Sequence, residues 1–381
     1  MKIIHIINSL KKGGAEGNLF RLCEFHKKKF KTKIDITIIT LINDGYYEAQ
    51  LKNIGIKIFS LNLNNKIGFY NFFLKILKLR KYICKLNPDV IQSWMYHSNF
   101  ITLFIPRNFY YKLFWNIRHS ELNFQISKKK TILISMICGL LSKFVPKKII
   151  YCSDKSIKFH QTKHFYSKLK TVLIYNGYND KDYYSSKNLR NKFRLRNKVK
   201  NKDIILGFAG RFSKQKNIPT LLKSFSKIIK YYDRLYLYMV GEGIDYSNKQ
   251  LTNLILDLKI EKKVILLNKR KSLIEFYNGI DLLALTSHSE SFPNVVAESM
   301  LCTTPVLSTN TGCVQQIINK YGFIVKNNNN KSITKKLEKI IDVIINNKKK
   351  WNFFSANSRI WIQNNFSVKK MADKYLKNWI F

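Results

Sequence analysis

Short β-branched, apolar runs alternate with helix-length segments along this chain, and the alternation stops once and then restarts. In the first half the strand-like runs are 2–8, 34–40, 56–61, 89–94, 113–118 and 148–153, with helix-like segments at 16–29, 46–54, 68–86 and 130–144. Strands separated by helices need crossover connections, so they pair in parallel and are covered on both faces. A polar, basic stretch at 179–202 interrupts the rhythm and reads as a connection between domains. Beyond it the runs 204–209, 235–240, 264–267, 281–286, 305–308 and 322–325 repeat the plan, and the Asn-rich run 327–330 reads as a surface turn before the closing helices. The expected fold is α/β, with two Rossmann-like domains whose parallel sheets face a central cleft, the usual seat of a ligand. The expected division is 1–175 for the first domain, 176–202 for the linker and 203–364 for the second, with a closing helix at 365–381 packing back on the first.

Within that plan, Ser289-Glu290-Ser291-Phe292-Pro293-Asn294-Val295-Val296-Ala297-Glu298 carries the most chemistry. Pro293 suits the first helical position, where its missing N–H costs nothing. Glu290 then lies in the loop at a strand's carboxyl end, and Glu298 lies one turn into the helix, roughly 6 Å from its start at 1.5 Å per residue. Free N–H groups between them point into the crevice where open α/β sheets bind ligands. Two hydroxyl-reading carboxylates around an anion-binding helix terminus suit a sugar attached to a phosphate. An ordinary helix with an acidic first turn is the plainer alternative.

Other strand ends add candidates. Gly13 and Gly14 follow the first strand and open a helix, either as a phosphate cradle or as a tight turn; they are not the dinucleotide fingerprint. Gly210-Arg211 and Lys216 follow the first strand of the second half, where a guanidinium fork and an ammonium could both neutralise a diphosphate. His97 and His119 each come just after a strand of the first half and would face the same cleft, as hydroxyl-positioning or structural histidines. The remaining five histidines show no grouping, so no metal site is expected. Asp180-Lys181-Asp182 matches a metal-holding pattern but lies in the polar connection, not after a buried strand, and is rejected.

Charge bounds the partners. Lys and Arg total 68 against 23 Asp and Glu, a formal net charge of +45, which attracts anions of any kind. The abundance of Lys, Asn, Ile, Tyr and Phe also fits an AT-rich coding bias, and no zinc-finger spacing or basic-aromatic RNA motif supports nucleic acid as a partner. The segment 68–86 mixes aromatic, aliphatic and basic residues, so it either packs in the core with Lys75, Lys78 and Lys81 outward or lies on anionic lipid. The six cysteines form no pair with metal or redox spacing and read as buried thiols of a cytoplasmic protein. The first residues are too short an apolar run for a signal peptide, and the run 131–142 is too short to span a bilayer.

Together these residues resemble the retaining glycosyltransferases of family 4, enzymes with the two-domain GT-B fold. The segments that carry the likeness are Ser9 to Glu16, Ile174-Tyr175-Asn176-Gly177, Gly210-Arg211 with Lys216-Asn217, and Glu290 to Glu298 followed by Ser299-Met300 and Pro305-Val306. They run through essentially the whole chain in the family's order. The resemblance implies a nucleotide-sugar donor, UDP-linked, held mainly by the second domain without a metal or a resident cofactor. Arg211 and Lys216 would hold its diphosphate, Glu298 the ribose and Glu290 the sugar hydroxyls. Backbone N–H groups at Gly210, around Phe292 and beside Pro293 and Asn294 would add to the anion site, with Gly13 and Gly14 closing over the phosphates. His119 matches the cleft histidine beside the reacting sugar, and His97 the acceptor side. Ser291 stands where glycine is usual, and the region 310–316 lacks an Asp, a second Gly and a later Glu. The acceptor implied is a saccharide or a lipid-linked saccharide in cell-surface polysaccharide or lipopolysaccharide synthesis, used at the cytoplasmic face of an anionic membrane. A sugar-nucleotide epimerase of the same fold and a non-catalytic polyanion-binding protein are the rivals.

Overall fold

The computed structural model describes residues 1–43, 45–63, 68–106, 111–122 and 127–381. It forms two compact units, Met1–Gly177 with Val368–Phe381, and Tyr178–Ser367.

Unit 1 is built on seven parallel strands: β1 (Lys2–Ile7), β2 (Asp35–Thr40), β3 (Lys57–Ser60), β4 (Val90–Trp94), β5 (Lys112–Ile117), β6 (Lys148–Tyr151) and β7 (Thr171–Leu173), in the order β3-β2-β1-β4-β5-β6-β7. The central strands are apolar on both faces because helices cover both. One layer contains α1 (Gly14–Phe30) and α2 (Glu48–Asn53), over a core that includes Leu19, Leu22, Ile36 and Ile38. The other contains α3 (Phe69–Leu86), α4 (Tyr96–Ile101) and α5 (Lys129–Leu141), whose Ile76, Leu79, Ile101 and Ile132 share a core with Ile4 and Ile6. A further helix, α6 (Asp154–Lys163), follows β6. Its sequence is mostly polar and escaped the periodicity reading, yet Ser153 caps it by accepting from the Ser156 N–H, the usual N-terminal device. The pairs Ile7↔Trp94 and Trp94↔Asn116 set the carboxyl ends of β1, β4 and β5 side by side.

Unit 2 begins with α7 (Lys187–Arg196), inside the polar stretch that reads as a connection. Its basic residues have internal partners: Arg190 reaches Asp281 at 2.6 Å and Arg194 reaches the same carboxylate at 3.5 Å. Phe193 is buried, and a Cβ on Gly279 would lie 2.0 Å from its ring, so only a glycine lets α7 approach there. Six parallel strands follow: β8 (Ile204–Ala209), β9 (Leu235–Val240), β10 (Val264–Leu266), β11 (Leu282–Leu285), β12 (Val306–Thr309) and β13 (Phe323–Val325), ordered β10-β9-β8-β11-β12-β13. The helices are α8 (Ile218–Ile228), α9 (Lys249–Asp257), α10 (Ile274–Gly279), α11 (Asn294–Leu301), α12 (Val314–Ile318), α13 (Asn330–Asn346) and α14 (Lys348–Asn365). The chain order reverses between β8 and β11, which makes their carboxyl ends the topological switch point of this sheet. The last helix, α15 (Val368–Ile380), returns to unit 1 and buries Met371, Ala372, Tyr375 and Trp379 beside α1. None of the six cysteines forms a disulfide; five are buried and Cys84 is exposed.

Candidate functional site

The switch point of unit 2 gathers two of the expected charged groups directly. Lys216 lies in a short 3-10 turn after β8, and Glu290 in the loop after β11. Their side chains form an ion pair, with Lys216 Nζ 2.5 Å from Glu290 Oε1 and both largely buried. Ser287 donates to the same carboxylate oxygen at 2.7 Å. Gly210 makes room for the lysine, since a Cβ there would sit 3.3 Å from Lys216 Cε. The two loops are stitched along their length. His288 N–H donates to the Gln215 carbonyl at 2.8 Å, Gln215 Nε2 to the Ser289 carbonyl at 2.6 Å, and the Thr286 hydroxyl faces the carbonyls of Lys216 and Asn217 at 3.2 Å. Arg211, directly after Gly210 in the same loop as Lys216, is exposed, with no ion-pair partner among the described residues.

Two glycines given no site role in the sequence reading bring neighbouring backbones against these loops. Gly241, at φ +152, faces the Gly210 carbonyl, and a Cβ on it would lie 1.9 Å from that oxygen. Gly312, at φ +56, packs on the Glu290 carbonyl, where a Cβ would lie 2.1 Å away. The first belongs to Gly241-Glu242-Gly243 directly after β9, a glycine pair that could have been noticed at a strand's end. Asn328, expected in a plain surface turn, donates to the carbonyls of Thr286 and Ser287 at 3.2 and 3.3 Å and so ties that turn to the end of β11.

Glu298 occupies the fifth position of α11 and is buried. Tyr277 of α10 donates its hydroxyl to Glu298 Oε2 at 2.9 Å; burial first, and this carboxylate second, push the Tyr277 phenol well above its ordinary range. Pro293 is the cap residue and not the first helical one, with Asn294 opening the helix, a shift of one position. Phe292 turns its ring into the unit, against Tyr178 and Phe366 at centroid distances of 6.2 and 5.8 Å, so its side chain is packing while its backbone borders the helix start. Asn294 Oδ1 accepts from the Tyr178 hydroxyl at 2.6 Å.

In unit 1 the candidates lie on the adjoining carboxyl ends of β1, β4 and β5. Gly13 caps α1, and the Glu16 carboxylate folds over it, 2.3 Å from where a Cβ would stand. Burial raises the pKa of that carboxyl, opposed by its own backbone N–H. Gly14 is the first residue of α1. His97 sits in α4 at the surface; partial desolvation, then the charge of Lys128, lower its pKa. His119 is exposed after β5, with the Tyr96 ring edge-on at 5.8 Å and its carbonyl accepting from the Ser156 hydroxyl at 2.5 Å. The segment Ile174 to Gly177 serves the unit's own architecture. Asn176 accepts from the buried Arg118 at 2.5 Å, and the Gly177 carbonyl accepts from Arg21 at 2.7 Å. No cluster of three or more His, Cys, Asp or Glu suited to a metal occurs among the described residues.

Residues 190–359 match the family model of glycosyl transferases group 1. Among curated proteins, the chain is 29% identical over 189 residues to the capsular polysaccharide biosynthesis glycosyltransferase CapM of Staphylococcus aureus, covering 47% of this chain and 48% of that one. It is 27% identical over 215 residues to the O-antigen biosynthesis glycosyltransferase WclY of Escherichia coli, covering 55% and 56%. The chain thus spans about half the length of these curated relatives. Two solved structures share the fold over nearly all of both chains. One is Anabaena Alr3699/HepE in complex with UDP and glucose, with TM-score 0.83, 20% identity and 99% of each chain covered. The other is WaaG, a glycosyltransferase involved in lipopolysaccharide biosynthesis, with TM-score 0.74, 13% identity and 98% of each covered. The fold is that of GT-B glycosyltransferases, two Rossmann-like units with parallel sheets.

Proposed function

We propose that this protein is a retaining glycosyltransferase. It moves a hexosyl or N-acetylhexosaminyl group from a UDP-linked donor to a hydroxyl of a saccharide or lipid-linked acceptor, in the synthesis of a cell-surface polysaccharide or lipopolysaccharide. The observation that carries the reading is the Lys216–Glu290 pair across the switch point of unit 2, with the exposed Arg211 in the same loop as Lys216. When the bond between sugar and diphosphate breaks, negative charge develops on the leaving phosphate. Lys216, held by its ion pair, and Arg211, free to turn to the ligand, stabilise it in the transition state without a metal. Glu290, held by Lys216 and Ser287, accepts from donor-sugar hydroxyls, and Glu298, held by Tyr277, from the ribose. In unit 1, Gly13 and Gly14 are assigned to the phosphates, His119 to the reacting sugar and His97 to the acceptor, on the resemblance. The homologues with capsular and O-antigen roles, and the UDP complex of a structural neighbour, support this substrate class. The proposed place of work is the cytoplasmic face of a membrane; among the described residues no helix is long and apolar enough to cross one.

The test is a thermal-shift screen across UDP-, GDP- and ADP-sugars, followed by turnover measurements. A UDP-sugar at 100 times its Kd stabilises by about 2.7 kcal/mol. Arg211→Ala and Lys216→Ala are expected to lower turnover by about 10²–10³-fold, the usual effect of removing one charge-stabilising group. Glu298→Ala raises the donor Kd. Wild-type turnover in all three variants would show that the chemistry lies elsewhere.

A further inference from the structure

The two faces of α3 are both apolar. Ile76, Leu79 and Ile83 are buried against the sheet, while Tyr70, Phe73, Leu74 and Leu77 stand 40–72% exposed on the other side. At 3.6 residues per turn, the four exposed side chains share an arc of about 100°, so they form a stripe and not a scatter. Lys78, Arg80 and Lys85 flank it and Lys81 continues it toward the helix end, all exposed. A second exposed stripe runs along α5, where Leu133 and Leu140 lead to Phe144 just beyond the helix, at 58–72% exposure, beside Lys129, Lys130 and Lys143. Both helices contribute to the same core and so belong to one layer. Phe104, 40% exposed, lies in that layer too, against Phe72 and Phe100 at 6.0 and 5.5 Å. At the Phe144 end a cavity of about 330 Å³ is walled by Tyr111, Val145, Lys112, Lys147 and Lys170. Soluble surfaces scatter single hydrophobics, and the other layer of this unit follows that rule: α15 shows Lys369, Lys370, Lys374 and Lys377 to solvent.

The geometry points to this α3–α5 face of unit 1 as the surface that docks on an anionic lipid bilayer. The aromatic and aliphatic stripes enter the headgroup boundary, and the cations along them, Lys78, Arg80, Lys81, Lys129, Lys130 and Lys143, meet lipid phosphates. A basic rim around an apolar centre is complementary to a negatively charged interface. A second copy of this chain is a poor occupant, because a two-fold contact would gather two identical basic rims, each with Lys78, Arg80 and Lys81, into one interface. Among the described residues no helix is long and apolar enough to cross a membrane, so contact by this face would be peripheral. The inference deepens the membrane placement proposed above and is independent of the donor chemistry.

Flotation with vesicles of phosphatidylcholine alone, and with phosphatidylglycerol added, tests it on the full chain. Wild type should float with the anionic vesicles at low salt and bind the neutral ones at least about tenfold more weakly. Phe73→Glu/Leu77→Glu and Leu140→Glu/Phe144→Glu should each lose about tenfold or more, while Tyr231→Glu/Leu256→Glu on unit 2 keeps wild-type binding. A variant Lys78→Glu/Lys81→Glu, which keeps the apolar stripe, should lose its preference for anionic vesicles. Equal flotation of wild type and both apolar-face variants would overturn the proposal, leaving net charge alone as the cause. A concentration-dependent dimer that Phe73→Glu/Leu77→Glu returns to monomer would overturn it as well, in favour of a second copy. Thermal shift with UDP-sugar in the same variants separates this outcome from a failure of the transferase reading, since the substituted positions lie far from Arg211 and Lys216 in sequence and belong to the other unit.

Discussion

The two units share one architectural plan and place their buried polar groups in opposite ways. Unit 2 concentrates charge at the carboxyl edge of its sheet, where Lys216, Glu290 and Ser287 are mutually bonded and Glu298 is held by Tyr277. Unit 1 leaves its edge candidates His97 and His119 exposed and buries polar groups deep in its body instead. His5 accepts from Trp94 Nε1 at 3.2 Å, His26 lies 3.3 Å from the Ala372 carbonyl, and His160 meets the Tyr96 hydroxyl at 2.7 Å. A site of bonded charges inside a sheet edge is organised before its ligand arrives, which favours tight recognition of a fixed anion. An exposed edge can adapt to a less uniform partner, and the interior polar groups then act on the stability of the unit.

Acid should break the comparison most visibly. Burial lowers the pKa of His5 and His160 to about 3 and that of His26 to about 4, from 6.5. His5 Nε2 and His26 Nδ1 also lack hydrogen-bond partners among the described residues, so a proton there gains nothing. Because the folded values lie below the unfolded one, stability is complete above pH 6.5 and is lost as the pH falls toward 4. The slope is up to about 1.4 kcal/mol per pH unit for each histidine, or roughly 4 for the three. Unit 2 holds one histidine, His288, of the chain's seven. Hydrogen exchange at pH 7 and pH 5 should therefore show unit 1 amides losing protection first, including those of α15, which packs on His26. Earlier loss in unit 2 would contradict the assignment.

Glycines give the next largest contrast. Gly312→Ala places a Cβ against the Glu290 carbonyl at positive φ. The left-handed backbone costs about 1–2 kcal/mol and the overlap about 1–3, so urea unfolding of unit 2 should show a loss of about 2–5 kcal/mol. Gly13→Ala in unit 1 meets only the mobile end of Glu16 at an extended φ of −149°. That change should cost less than about 1 kcal/mol, since a carboxylate can swing aside. Similar losses at the two positions would show that the edge of unit 2 is no more rigid than that of unit 1.

Much of this was legible in the sequence because β-branched runs separated by helix-length segments admit few arrangements. Parallel strands carry every strand-to-helix loop to the same edge, so Gly13, Lys216 and Glu290 could be placed there without coordinates. The pairing of Lys216 with Glu290 was not legible, since it joins residues 74 positions apart and depends on which strands are neighbours. The roles of Gly241 and of Gly312, which stands in the region 310–316, were hidden for the same reason: each is required by a remote backbone segment, not by its own turn. The helix α7 hid behind its charges, because Arg190 and Arg194 resemble linker residues until Asp281 is seen beside them. For α3 the pattern left two apolar stripes open, and periodicity cannot say which of two stripes meets the core.

The smallest effect sharpens the comparison at a single oxygen. Tyr277→Phe keeps the buried ring and removes the donor to Glu298. The carboxylate then loses a charged hydrogen bond worth about 1.5–3 kcal/mol while staying buried. Part of that loss is recovered if water enters. The variant should unfold at lower urea by an amount in that range. On the proposed function its donor Kd should also rise severalfold. His97→Ala on the exposed edge of unit 1 should move neither stability nor donor affinity by a comparable amount. A Tyr277→Phe protein with unchanged stability and donor affinity would mean that Glu298 is held by other groups, and that the organised edge of unit 2 rests on the Lys216–Glu290 pair alone.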